Sequence, residues 1–246
     1  MIAPGLASSV RSWWRRQRRA AGPFAAGRKF CALAFEFLRD SFPDRRRRRF
    51  GDIDFDWEHR VDTTSANVGW RSRLIGLLNS PYQPVDAALF REMMSALAID
   101  FERFTFIDIG SGKGRALLLA SEYPFRRILG IEFLPELHFI AQRNIQKILS
   151  KPLRCATIET ICADATQFDF PDEPLVVFLN NPLPEPALRE LIGNLATSLN
   201  AKPRSGFVLY ANPILEHVIL EQVINNNRLF RKIYGTHQFA IFGPNK

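Results

Sequence analysis

The run Asp108-Ile109-Gly110-Ser111-Gly112-Lys113-Gly114 sets one acid and three alternating glycines between an apolar stretch and a helical one. Glycines at such a junction let the backbone turn sharply and let a ligand approach with no Cβ in the way, and the helix that follows offers unpaired N–H groups. The chemistry this spacing serves is the holding of a cofactor. A dinucleotide fingerprint, GxGxxG, would need glycine where Arg115 stands, and a phosphate-binding GxxxxGK[ST] loop cannot be laid on the segment. Two acids follow at the ends of later apolar runs, Glu132 and Asp164. A carboxylate that accepts hydrogen bonds from a ligand hydroxyl contributes about 1.5 to 3 kcal/mol for each.

The pattern DxGxGxG resembles motif I of the class I S-adenosylmethionine methyltransferases. The likeness extends over roughly residues 80–246, with FIDIGSGKGRALLLAS its most specific part. The arrangement is similar to bacterial methyltransferase-like proteins with a Tyr-x-Pro segment ahead of motif I, and more distantly to small lysine methyltransferases. The resemblance implies S-adenosyl-L-methionine as cofactor. Asp108 would orient the loop and the methionine end, with Gly110, Gly112 and Gly114 passing close to it. Glu132 would accept from both ribose hydroxyls, Asp164 would meet the adenine amino group, and Phe133 would cover the ring. Each also has an ordinary structural use: Glu132 as a solvated strand end, Asp164 as a turn cap, Phe133 as core. Lys113 and Arg115 read as surface residues of the first helical turn.

The methyl acceptor belongs, by the same resemblance, after the fourth strand, at Asn180-Asn181-Pro182-Leu183. This partly matches the [DN]PP[YFW] motif of amino-group methyltransferases, in which an aromatic stacks on a planar base. Asn181 replaces the first proline and Leu183 the aromatic, which argues against a flipped base as acceptor. Tyr82 and Asn180 are the candidates for positioning the acceptor, and Asn180 also borders the cofactor. Tyr82-Gln83-Pro84 reads equally well as a Pro-initiated helix with a packed tyrosine. Asn212-Pro213, after the fifth strand, faces the same edge or forms an ordinary turn.

Positioning these residues requires short buried strands alternating with amphipathic helices. Phe104–Ile109, Arg127–Phe133, Thr157–Cys162, Leu175–Leu179 and Phe207–Ala211 read as strands, followed by a C-terminal pair at Phe230–Tyr234 and Gln238–Phe242. Leu137, Ile140, Ala141, Ile145 and Ile148 share one helical face. The predicted fold is α/β and Rossmann-like: a mainly parallel seven-stranded sheet with helices on both faces, plus a basic N-terminal extension. Residues 1–50 form the basic arm, helical or disordered, residues 51–100 a helical cap region and residues 101–246 the core. Ligands of such sheets sit beyond the carboxyl ends of the strands.

Charge divides the chain in the same way. Residues 1–50 hold 13 Arg and Lys against 3 acids, or +10, so a total of +8 leaves −2 for the remainder. Arg11–Arg19 includes Trp13 and Trp14, and Arg45–Arg49 follows the apolar Phe30–Leu38. This composition suits phosphate contact with stacking on nucleic acid, an anionic membrane surface, or a solvated tail. Cys31, Cys155 and Cys162 lack disulfide or zinc spacing, and the four histidines form no ligand set, so no metal is expected. No stretch nears the roughly 18 apolar residues of a membrane span, and a soluble, cytoplasmic protein is expected. The Arg-rich first 30 residues also have the composition of an organellar transit peptide.

Three functions stay open. The first is methyl transfer to a protein side chain or a small-molecule nitrogen or oxygen. The second is a nucleic-acid methyltransferase delivered by the arm, and the third a noncatalytic nucleic-acid or membrane-binding protein on the same fold. The intact DxGxGxG with Glu132 and Asp164 favours catalysis.

Overall fold

Apolar runs flanked by glycine, proline and acids form the strands β1 Thr105–Ile109, β2 Arg127–Glu132, β3 Ile158–Cys162, β4 Leu175–Asn180, β5 Gly206–Ala211, β6 Phe230–Gly235 and β7 Phe239–Pro244. All seven expected strands are present, their ends moved by a residue or two. Among the described residues the α-helices are α1 Leu6–Arg39, α2 Ile53–His59, α3 Ala87–Ser95, α4 Arg115–Ala120, α5 Pro135–Ile148, α6 Glu185–Ala201 and α7 Glu216–Asn225. The computed structural model describes residues 6–39, 53–64, 83–149, 152–181, 183–225 and 230–244. Tyr82 and Arg45–Arg49 lie outside the described residues.

The strands form one sheet in the order β3-β2-β1-β4-β5-β7-β6. From β3 to β5 the pairing is parallel, while β7 is antiparallel to both β5 and β6, so the sheet is mixed. The central strands are buried on both faces, which is why they read as continuous apolar runs. Alternate side chains feed two cores. Phe106, Ile128, Phe178 and Leu209 pack with α3 and α4, and Ile107, Leu129, Val177 and Tyr210 with α6 and α7. Edge strand β6 exposes Arg231 and Lys232, charges that discourage edge-to-edge association.

The chain runs outward from β1 through β2 to β3, then returns to place β4 on the other side of β1. The order therefore reverses between β1 and β4, and the loops leaving their carboxyl ends enclose the cleft expected of such a sheet. Asp108, opposite Gly130 on β2 and Phe178 on β4, sits just below this switch point.

Candidate cofactor site

The loop after β1 is held open by three left-handed glycines, Gly110 at φ 72°, Gly112 at φ 54° and Gly114 at φ 86°. Any side chain with a Cβ would be strained at these angles. The N–H groups of Gly110 and Ser111 both donate to the Ile131 carbonyl at 2.8 and 3.0 Å, tying the loop to β2. Gly130 makes room beneath: a Cβ there would stand 2.6 Å from Leu117 Cδ1 and 2.8 Å from Ser111 Oγ. At the start of α4, a Cβ on Gly114 would lie 3.3 Å from that of Ala141 on α5.

Asp108 is buried below the loop, and its carboxyl accepts no hydrogen bond among the described residues. Burial, and secondarily the charge of Glu132, push its carboxyl up to about 8. An acid left without donors in this way favours a cationic neighbour, which would return it to its charged form. The methionine end of S-adenosylmethionine has that chemistry, with an ammonium and a sulfonium.

Glu132 departs from the solvated strand end that its position allows. Only 6% exposed, it accepts Gly112 N–H on Oε2 at 2.8 Å and Leu134 N–H on Oε1 at 2.7 Å. Burial raises its pKa, and the backbone donors oppose that rise. Each oxygen keeps lone-pair capacity for a further donor, such as a ribose hydroxyl. Phe133, immediately beyond, is 37% exposed. Asp164 caps the turn Ala165–Gln167, its Oδ1 accepting from Thr166 N–H and Oγ1–H at 2.9 and 2.8 Å. The capping use is thus present, with both bonds on one oxygen.

Lys113 and Arg115 overturn their reading as surface residues: they are 0% and 2% exposed. Lys113 Nζ reaches Asp62 Oδ1 at 2.7 Å and the Thr64 carbonyl at 2.8 Å. Arg115 donates from Nε to Thr63 Oγ1 at 2.6 Å and from a terminal nitrogen to Asp56 Oδ1 at 3.1 Å, its guanidinium 4.7 Å from the centre of the Phe55 ring. Asp56 in turn accepts from the N–H groups of Thr63 and Thr64 and from the Thr63 hydroxyl. Asn144 on α5 joins the set, bonding Asp62 N–H, Asp62 O and Lys113 O. Residues 53–64 are therefore a strap pinned to the glycine loop and the first turn of α4. Sequence inspection missed Asp56, Asp62, Thr63 and Asn144, whose partners lie up to 82 residues away. The one available signal was a pair of cations, Lys113 and Arg115, leading into an otherwise apolar helix.

A second group closes the other side of the cleft. Asn180 donates Nδ2–H to the Gln83 carbonyl at 2.9 Å and accepts from Asn212 at 3.2 Å, while the Tyr210 hydroxyl donates to Asn181 at 2.9 Å. Asn181 and Asn212, at φ 47° and 50°, end neighbouring strands in the left-handed region. Such conformations persist where surrounding structure over-determines them, and they concentrate at binding sites. A cavity of about 500 Å3 opens here, lined by Gln83, Asn181, Asn212, Pro213, Thr236 and His237 among others. The structure thus gathers Asp108, the glycines and Glu132 in one place, with Asp164 after the neighbouring strand, and puts Asn180 across the switch point among these amides.

No family model matches the chain, and no curated protein matches it. Solved structures do. A ribosomal protein L11 methylase from Lactobacillus delbrueckii subsp. bulgaricus is 16% identical at TM-score 0.45, over 65% of this chain and 76% of that one. A precorrin-6y C5,15-methyltransferase from Geobacter metallireducens GS-15 is 18% identical at TM-score 0.47, over 65% and 88%. A geranyl diphosphate C-methyltransferase from Streptomyces coelicolor A3(2), solved with S-adenosyl-L-homocysteine, is 12% identical at TM-score 0.47, over 65% and 77%.

Proposed function

We propose that the protein is an S-adenosylmethionine-dependent methyltransferase whose acceptor is a protein side chain or a small-molecule nitrogen or oxygen. The observation that carries this reading is the left-handed glycine loop between β1 and α4 with the buried, donor-free Asp108 beneath it. Asp108 would face the methionine end, Gly110, Gly112 and Gly114 would line the approach, and Glu132 would accept ribose hydroxyls. Asp164 and Phe133 would take the adenine. When bound, the cofactor supplies a methyl group on a cationic sulfur, which a nucleophile displaces in line. The protein then has to align the acceptor and exclude water, tasks that need no nucleophile of its own.

Asn180, fixed on both its amide atoms, would position the acceptor at the mouth of the adjoining cavity. A volume of about 500 Å3 fits a small molecule or a single inserted side chain. Leu183 supplies no stacking surface for an extruded base, and Trp13 is buried against Phe30, so neither supports a nucleic-acid acceptor. Calorimetry tests the reading. S-adenosylmethionine and S-adenosylhomocysteine should bind in the micromolar range and NAD should not; NAD binding with no response to the other two would reverse the assignment. Labelled cofactor offered with fractionated lysate would then show whether protein, RNA or small molecules take up the methyl group.

A further inference from the structure

Helix α1 is two helices joined at Gly22, where φ 82° and ψ 167° break the helical path just before Pro23. The second turns back along the first. The rings of Trp13 and Phe30 lie 5.8 Å apart, and Lys29 Nζ donates to Gln17 Oε1 at 3.1 Å. In a straight helix Trp13 and Phe30 would be separated by about 25 Å. The inner side of this hairpin holds Trp13 and Ala26, 3% and 1% exposed.

The opposite side of the second segment is apolar and bare. Phe24, Cys31 and Phe35 fall at spacings of seven and four, which puts them on one helical face, and Phe24 and Phe35 are 92% and 67% exposed. Arg28 sits on the same face, Lys29 beside it, and Arg18 and Arg19 at the turn end of the first segment; all four are exposed. We propose that this face of the hairpin lies in the surface of an anionic bilayer, with Phe24 and Phe35 entering the acyl boundary and Arg18, Arg19, Arg28 and Lys29 meeting the lipid headgroups. Aromatic side chains flanked by cations on one helix face are the composition of interfacial helices. Long cationic side chains reach the headgroups while their stems stay apolar. Among the described residues no helix is long and apolar enough to cross a membrane. Nucleic acid fits less well, because the hairpin buries Trp13, one of the two tryptophans that the basic run offers for stacking. The attachment does not depend on the methyl-transfer reading.

The test is co-sedimentation of the full-length protein with phosphatidylcholine vesicles containing about 30 mol% phosphatidylglycerol, beside pure phosphatidylcholine vesicles and a single-stranded RNA. Binding to the anionic vesicles should exceed that to neutral ones by more than about tenfold and weaken with salt. The double variant Phe24→Asp/Phe35→Asp should lose more than about tenfold of it, and Arg28→Ala/Lys29→Ala should erase most of the preference for anionic lipid. All four positions are solvent-exposed, and an unchanged circular dichroism melt identifies variants that are still folded. Anionic-vesicle binding that survives the double aspartate substitution would overturn the proposal. So would RNA binding without vesicle binding, or association of the chain with itself through this face in place of lipid.

Discussion

Asp108 holds a proton that an ordinary aspartate would have lost. Its carboxyl sits at about 8, whereas the same group in the unfolded chain titrates near 3.9. Between roughly pH 4 and 8 the folded protein therefore binds more protons than the unfolded one, and stability without cofactor should fall as pH rises through that window. Asp108→Asn should flatten this slope, read by urea titrations at several pH values. A cation bound beside Asp108 should expel the proton, so calorimetry near pH 7 in buffers of different ionisation enthalpy should show about one proton released per cofactor by the wild type and none by Asp108→Asn. Glu132 behaves differently under mutation from an exposed acid. Glu132→Ala would leave the Gly112 and Leu134 N–H groups without their acceptor, at about 1 to 3 kcal/mol each if water does not replace it. Loss of stability should accompany a 10- to 100-fold or greater loss of cofactor affinity, roughly what the missing ribose bonds imply. Unchanged affinity in a folded variant would remove Glu132 from the site.

The strap is the element that distinguishes this site from a bare glycine loop. Two cations emerging from the loop are buried, and each is satisfied by residues 53–64. Removing one partner of a buried ion pair commonly costs about 3 to 5 kcal/mol, because the other charge stays behind. Arg115→Met should lower stability on that scale and weaken cofactor binding through the displaced first turn of α4. Deletion tests the element as a whole. Without residues 1–52 the strap is intact and cofactor affinity should be nearly unchanged; without residues 1–64 Asp56, Asp62 and Thr63 are gone and affinity should collapse. Equal affinity in both truncations would show that Lys113 and Arg115 find other partners.

At the scale of the whole molecule, cofactor binding and folding are linked, since the cleft is assembled from strands that meet only in the folded sheet. S-adenosylhomocysteine at one hundred times its dissociation constant should add about 2.7 kcal/mol of stability. For a chain of this size that is a rise in Tm of about 5 to 10 °C, with no shift from NAD. A thermal melt without such a rise would contradict the cofactor assignment.

The seven strands, the helical face of α5 and the glycine loop were legible in the sequence because periodicity and glycine spacing are local properties. The basic arm was visible as charge. The sequence also carried the acids, since Glu132 and Asp164 each end an apolar run. Tertiary structure decided the rest. Lys113 and Arg115 look solvated to any local reading, because a cation's burial depends on partners that chain distance hides; here those partners are Asp62 and Asp56. Trp13 and Trp14 look equally available for stacking until the turn at Gly22 folds the helix back and buries one of them. Asn180 and Asn212 are separate turn residues in the sequence, and only the pairing of β4 with β5 sets their amides in contact. Local composition fixes which elements form, whereas the desolvation and pairing of charges depend on which elements meet.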